Sequence, residues 1–270
     1  MPNIYFDICA IPLYLLILIV CYSRRMTEGT VNRMFITLVF ISLVSTLADL
    51  GLEIPNALGP LTGGSYILCG VSAYVYIAVR NAANLVNMLF LMALTRTTFL
   101  FRKRWFRTLF FLPYAVTMFL LLMNPIIHGA FSVTEAGYAR GPLRPVIYFL
   151  ALFYGVGGLV YCVYCRRYLP RNKWAALLSI YVLAYLAVAV EFFHPELLLE
   201  LFCTAIGTLV ILFSVMRPEE RMDSDVGLLS WASYQKDLEN ILLTHERVWI
   251  AVARIHNSQE LRSYLGDHRY

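Results

Sequence analysis

As far as Met216, long apolar runs alternate with short polar connections. A helix crossing the hydrocarbon of a bilayer needs about 20 largely apolar residues. The stretches that meet this need are Ile4–Tyr22, Met34–Leu52, Ala73–Leu94, Trp105–Met123, Val146–Tyr164, Trp174–Phe193 and Leu197–Met216. The third is the least sharply bounded, because its apolar run begins near Tyr66 and is interrupted by Arg80-Asn81. The pattern predicts an all-α polytopic membrane bundle of about seven transmembrane helices over residues 1–216. Past Met216 it changes to that of a soluble protein. Residues 217–222 read as a charged linker in which Pro218 ends or bends the last span. Ser230 is placed to cap a helix whose apolar face is Trp231, Tyr234, Leu238, Ile241 and Leu242. Val248–Ile255 has the apolar, β-branched character of a buried parallel strand. Asn257 and Glu260 make a capping box for a short helix that Gly266 closes.

Charge gives the bundle a direction. The connections after the first, third and fifth spans hold Arg24, Arg25 and Arg33; Arg96, Arg102, Lys103, Arg104 and Arg107; and Arg166, Arg167, Arg171 and Lys173. The alternate connections are poor in basic residues: Glu53 to Ser72 has none, Asn124 to Pro145 has Arg140 and Arg144, and His194-Pro195-Glu196 is acidic. By the positive-inside rule the amino terminus is outside and the carboxy terminus in the cytoplasm. A cleaved signal peptide is disfavoured, since Arg24-Arg25 follows the first apolar run instead of preceding it.

Composition agrees with a membrane protein: 60% of residues are hydrophobic and 14% charged, against roughly 25% charged in a soluble domain. The net charge of +5 comes from loop clusters that orient the helices, so no nucleic-acid face is expected. Cys9, Cys21, Cys162, Cys165 and Cys203 lie in or beside apolar runs, where a thiol acts as a small hydrophobe. Cys162-x-x-Cys165 has no second ligand pair nearby, so packing explains it better than zinc or redox chemistry.

An ionisable side chain inside a bilayer is costly enough to mark a functional candidate. Asp49, Arg80, Glu191 and Glu200 all fall in the outer halves of their spans. Arg80, Asn84 and Asn87 stand at i, i+4 and i+7, which puts them on one helical face and predicts a polar seam on the third span. One expectation for these residues is an outward-facing pocket for an extracellular or membrane ligand, although packing alone ranks ahead of it. The alternative is that Arg80 pairs with Asp49 or Glu191 only to fix packing.

The tail carries the more specific signal. Asp223-Ser224-Asp225-Val226-Gly227-Leu228-Leu229-Ser230-Trp231 resembles the D-x-L-T-G-L-x-N-R opening of GGDEF domains, which make cyclic di-GMP from GTP. Arg254-Ile255-His256-Asn257-Ser258-Gln259-Glu260-Leu261-Arg262-Ser263-Tyr264-Leu265-Gly266 runs without a gap against that family's D-I-D-x-F-K-x-I-N-D-x-x-G segment. The membrane part is similar to the sensor region of clostridial GGDEF and EAL proteins, in Asn3-Ile4-Tyr5-Phe6-Asp7-Ile8, Arg25-Met26-Thr27, Asn32-Arg33-Met34-Phe35 and Tyr138-Ala139-Arg140-Gly141-Pro142. The resemblance implies the beginning of an α/β GGDEF-like domain over 223–270, a multi-pass bacterial plasma-membrane location, and a homodimer through the linker and cytoplasmic domain.

It also implies a degenerate site. Arg254 stands where the family has a metal-binding Asp, His256 replaces the second Asp, Gln259 the phosphate-facing Lys and Arg262 the guanine-reading Asn. A cation in place of a hard oxygen ligand repels Mg²⁺, on which two-metal phosphoryl transfer depends. No catalytic, metal or cofactor-binding residue is therefore expected. From Asp223 to Tyr270 there are fewer than 50 residues, near the lower limit for a domain that folds alone, so the 270 residues are expected to be the front of a longer chain. The leading expectation is the sensor and signal-transduction module of a cyclic di-GMP protein. The alternative is a membrane-bound diguanylate cyclase represented by a fragment. A transporter or light-responsive bundle ranks below both, because none of Lys103, Lys173 and Lys236 is central in the seventh span and no repeat is visible.

Overall fold

The computed structural model describes residues 4–24, 26, 29–95, 97–135, 137–167, 169, 171–194, 197–216 and 234, 235 and 238. The chain divides into two units at Met216. In the second, Tyr234, Gln235 and Leu238 are helical. The expected strand over Val248–Ile255, the helix after Asn257 and the GGDEF-like positions Arg254, His256, Gln259 and Arg262 lie outside the described residues.

The first unit is helical: α1 (Tyr5–Ser23), α2 (Thr30–Leu58), α3 (Gly64–Leu94), α4 (Arg104–Ile127), α5 (Arg144–Tyr164), α6 (Arg171–Phe193) and α7 (Glu200–Ile211). A π-helical turn, Leu212–Met216, continues α7. Six of these helices are long and apolar enough to cross a membrane, with mean hydropathies from 1.5 to 2.1. In hydrocarbon no water is available to satisfy backbone N–H and C=O groups, so a spanning segment satisfies them internally as a helix. The outward faces of α4 and α5 carry large exposed apolar side chains such as Phe119, Leu122, Phe149 and Val160. On helices long and apolar enough to cross a membrane, such exposed apolar surface suits contact with lipid. The chain is thus a multi-pass helical membrane protein.

The end of α2 and the starts of α3 and α7 depart from the apolar runs. α2 and α3 have 29 and 31 residues, about 45 Å each at 1.5 Å per residue, and so extend well past a hydrocarbon core of about 30 Å. Glu53 and Tyr66, expected in a connection, are helical. The two helices form the most extensive pairing in the bundle, and packing carries each helix past the point where its apolar run stops. The last segment is shorter than expected. Leu197–Leu199 are not helical, and α7 with its π-helical turn begins only at Glu200, giving about 25 Å of rise.

α2 is the central helix. Of its most apolar window 61% is buried, against 22% for α4 and for α5. One core joins α1, α2, α6 and α7 through Tyr14, Ile17, Phe35, Leu177, Ile180 and Ile211. A second joins α2 to α5 through Leu38, Val86, Met92, Phe110 and Tyr154. α6 and α7 approach closely at Gly207, where a Cβ would come within 2.9 Å of the Ile180 Cα. Small residues at such crossings let membrane helices touch backbone to backbone.

Between α4 and α5 lies a hairpin absent from the sequence reading, β1 (Phe131–Thr134) antiparallel to β2 (Gly137–Arg140), with Phe131 opposite Arg140. It is too short to stand alone and is held by side chains. Asn124, near the end of α4, accepts from the Ala130 and Phe131 N–H groups through Oδ1 (2.8 and 3.2 Å) and donates Nδ2 to the Phe131 carbonyl (3.0 Å). Asn56 of α2 accepts from the Tyr138 N–H at 3.0 Å. Gly137 needs its missing side chain, since φ is +128° and a Cβ would lie 2.7 Å from Asn56 Oδ1. The Arg144 guanidinium stands 5.6 Å from the Tyr138 ring centre and 5.2 Å from that of Tyr148. Burial pushes the Tyr138 phenol up from its ordinary range, with Arg144 opposing.

Candidate functional site

Polar side chains converge where α1, α2, α3, α6 and α7 meet, toward the end of the bundle that carries the amino terminus. Asp7 lies in the first turn of α1, Glu191 in the last turn of α6, and Glu200 is the first residue of α7. Asp49 enters from α2 at the end of a buried polar stripe, Ser42, Ser45, Thr46 and Asp49, that repeats at helical spacing on the inward face. Tyr76 and Arg80, one turn apart on α3, complete the set.

Each group is held differently. Arg80 forms an ion pair with Glu200, the two side chains being 20% and 30% exposed, and its guanidinium stands 5.9 Å from the Tyr76 ring centre. Glu191 Oε1 accepts from the backbone N–H groups of Leu199 (2.8 Å) and Glu200 (2.7 Å). It thereby caps α7 from a neighbouring helix, satisfying donors that a helix start leaves unpaired and placing an acid at the positive end of the dipole. That contact sets the start of α7 at Glu200. The next residue, Leu201, accepts the Tyr14 hydroxyl of α1 through its carbonyl at 3.1 Å. The beginning of α7 is thus fastened to α1, α3 and α6 by polar contacts.

Asp7 has no such partner. It is fully buried, and neither carboxyl oxygen has a hydrogen-bond partner among the described residues. Asp49 is 5% exposed and within electrostatic reach of Asp7 and Arg80. Between these groups lies a cavity of about 30 Å³, lined by Asp7, Asp49, Tyr76, Arg80, Glu191 and Glu200. That is room for about one water molecule.

The sequence reading named Asp49, Arg80, Glu191 and Glu200, and the structure brings all four to the cavity. Asn84 and Asn87, expected to continue the seam along α3, are half-buried and do not line it. Arg80 pairs with Glu200, not with Asp49 or Glu191 as the packing alternative had it. Distance along separate helices cannot be read from a sequence, so partner choice among three acids was not legible. Asp7 and Tyr76 were missed. An acid in the first turn of a helix reads as interfacial, and only the packing of α2, α3, α6 and α7 around it makes Asp7 buried. The available signal was that Asp7 lies inside the first predicted span.

The arrangement can hold a small polar or charged species and can couple α3 to α7. It has no room for a larger molecule. Among the described residues no group of three or more His, Cys, Asp and Glu is arranged to hold a metal ion. Comparison with family models, with curated proteins and with solved structures finds no match for the chain.

Proposed function

We propose that this chain is the membrane-embedded input module of a bacterial cyclic di-GMP signalling protein and makes no cyclic di-GMP itself. In this reading the amino terminus and the polar cavity face outward, α7 is the seventh crossing, and the segment after Met216 is cytoplasmic. The basic residues crowded into the connections after α1, α3 and α5 support that orientation.

The observation that carries the proposal is the pairing of Arg80 with Glu200. It ties the long helix α3 to the first residue of α7. The other end of α7 leads through Met216 into the charged linker and then into the segment resembling a GGDEF opening. An event in the cavity that strengthens or weakens the pair acts on the helix that continues into the output segment. Small helix shifts of this kind are a common way to carry a signal. The cyclase alternative is disfavoured by Arg254, His256, Gln259 and Arg262 at the family's metal and nucleotide positions.

In the bacterium that carries the protein, deletion of its gene is expected to shift cellular cyclic di-GMP measured by mass spectrometry, and Arg80→Ala to reproduce that shift. The purified chain with Mg²⁺ and GTP is expected to yield none. Unchanged levels in both strains would sink the signalling reading, and synthesis by the purified chain would replace it with the cyclase.

A further inference from the structure

Around the cavity, Asp7 is the lining residue whose buried carboxyl oxygens lack a hydrogen-bond partner among the described residues. Glu191 is satisfied by two backbone donors and Glu200 by Arg80. Asp7 is enclosed with both oxygens unpartnered among the described residues, and it lines a space the size of one water. A buried carboxyl without a donor is unfavourable in any protein interior, and more so at membrane depth. The groups facing it are Asp49 and Glu53 from α2, Tyr76 and Arg80 from α3, Glu191 from α6, Glu200 from α7 and Tyr14 on its own helix. Acids outnumber the single guanidinium, which is already engaged with Glu200.

We infer that Asp7 and Asp49 form a binding site for one monovalent cation, a proton taken up by the carboxyl pair or a sodium ion. The size of the cavity excludes an organic cation. The absence, among the described residues, of a group of three or more acid, histidine or cysteine side chains arranged for a metal argues against a divalent ion held by several carboxylates. A single positive charge at this point gives Asp7 its missing partner and eases its repulsion with Asp49. It also competes with Arg80 for the acids of α6 and α7. The occupant therefore bears on the contact that fastens α7, which makes it the input of the proposed signalling module. The inference rests on reading the cavity as that input, but binding can be measured without any signalling output.

The full chain is reconstituted in lipid nanodiscs, and its thermal unfolding midpoint is followed as Na⁺ replaces N-methylglucamine at constant ionic strength. In a second series the pH is lowered without Na⁺ while the carboxyl C=O stretching band is recorded by infrared difference spectroscopy. A saturable rise in midpoint with Na⁺ identifies sodium. A carboxyl band that grows with acid in the wild type, and is missing from Asp7→Asn, identifies the proton. In either case Asp7→Asn weakens the response by roughly tenfold or more, whereas Glu135→Gln on the exposed hairpin leaves it unchanged. If Asp7→Asn does not fold, Asp49→Asn carries the same expectation. A wild-type chain with neither response, or a response kept by every folded variant of the two aspartates, overturns the inference. Intact binding with unchanged cyclic di-GMP in cells would sink the signalling proposal and leave the site standing.

Discussion

Truncating Arg80 to alanine removes the one cation, among the described residues, lining a cavity that also holds Asp7, Asp49, Glu191 and Glu200. Breaking a fully buried ion pair costs about 3–5 kcal/mol, while an exposed pair is worth about 0–1 kcal/mol. Arg80 and Glu200 are 20% and 30% exposed, closer to the buried limit, so each single truncation is expected to cost about 2–3 kcal/mol. The two are not equivalent. Without Glu200, Arg80 still has Asp49 within electrostatic reach; without Arg80, the acids have no counter-charge among the described residues that line the cavity, and the contact of the guanidinium with the Tyr76 ring is lost as well. Arg80→Ala should therefore be the more damaging. A double-mutant cycle over Arg80→Ala and Glu200→Ala, with reversible unfolding in mixed micelles, should return a coupling of about 1–2 kcal/mol. Additivity to within about 0.5 kcal/mol, or Glu200→Ala as the more destabilising variant, would refute the reasoning that the pair fastens α7.

Gly207→Val places a branched side chain against the Ile180 backbone, 2.9 Å from where a Cβ would sit, and should cost about 1–3 kcal/mol, read as a fall in unfolding midpoint. Asn124→Ala deletes the side chain that serves three backbone groups of the hairpin and leaves buried partners unmet. Hydrogen exchange at Ala130 and Phe131 should rise by at least about tenfold, the equivalent of some 1–3 kcal/mol, while α6 and α7 keep their protection. For the proposed orientation, Glu135→Cys in a background with the native cysteines replaced should be labelled by a membrane-impermeant maleimide on intact cells. Labelling only after lysis would invert the topology.

The apolar runs sufficed to place α1 to α6 within a few residues at most ends, because a span must be long, apolar and helical to satisfy its backbone in lipid. Loop charge sufficed to predict an orientation, and the cost of charge in hydrocarbon picked out Asp49, Arg80, Glu191 and Glu200 as a set. The tertiary structure decided what depends on distance between helices. Arg80 chooses Glu200 over two other acids because α7 starts beside it. α7 starts there because Glu191, from α6, caps it. Asp7 becomes an enclosed carboxyl because α2, α3, α6 and α7 close around the first turn of α1. The hairpin after α4 exists because Asn124 and Asn56 supply partners that its two short strands lack. Hydropathy is a property of single positions and survives in the sequence; pairing and enclosure arise from residues far apart in the chain, and only packing brings them together.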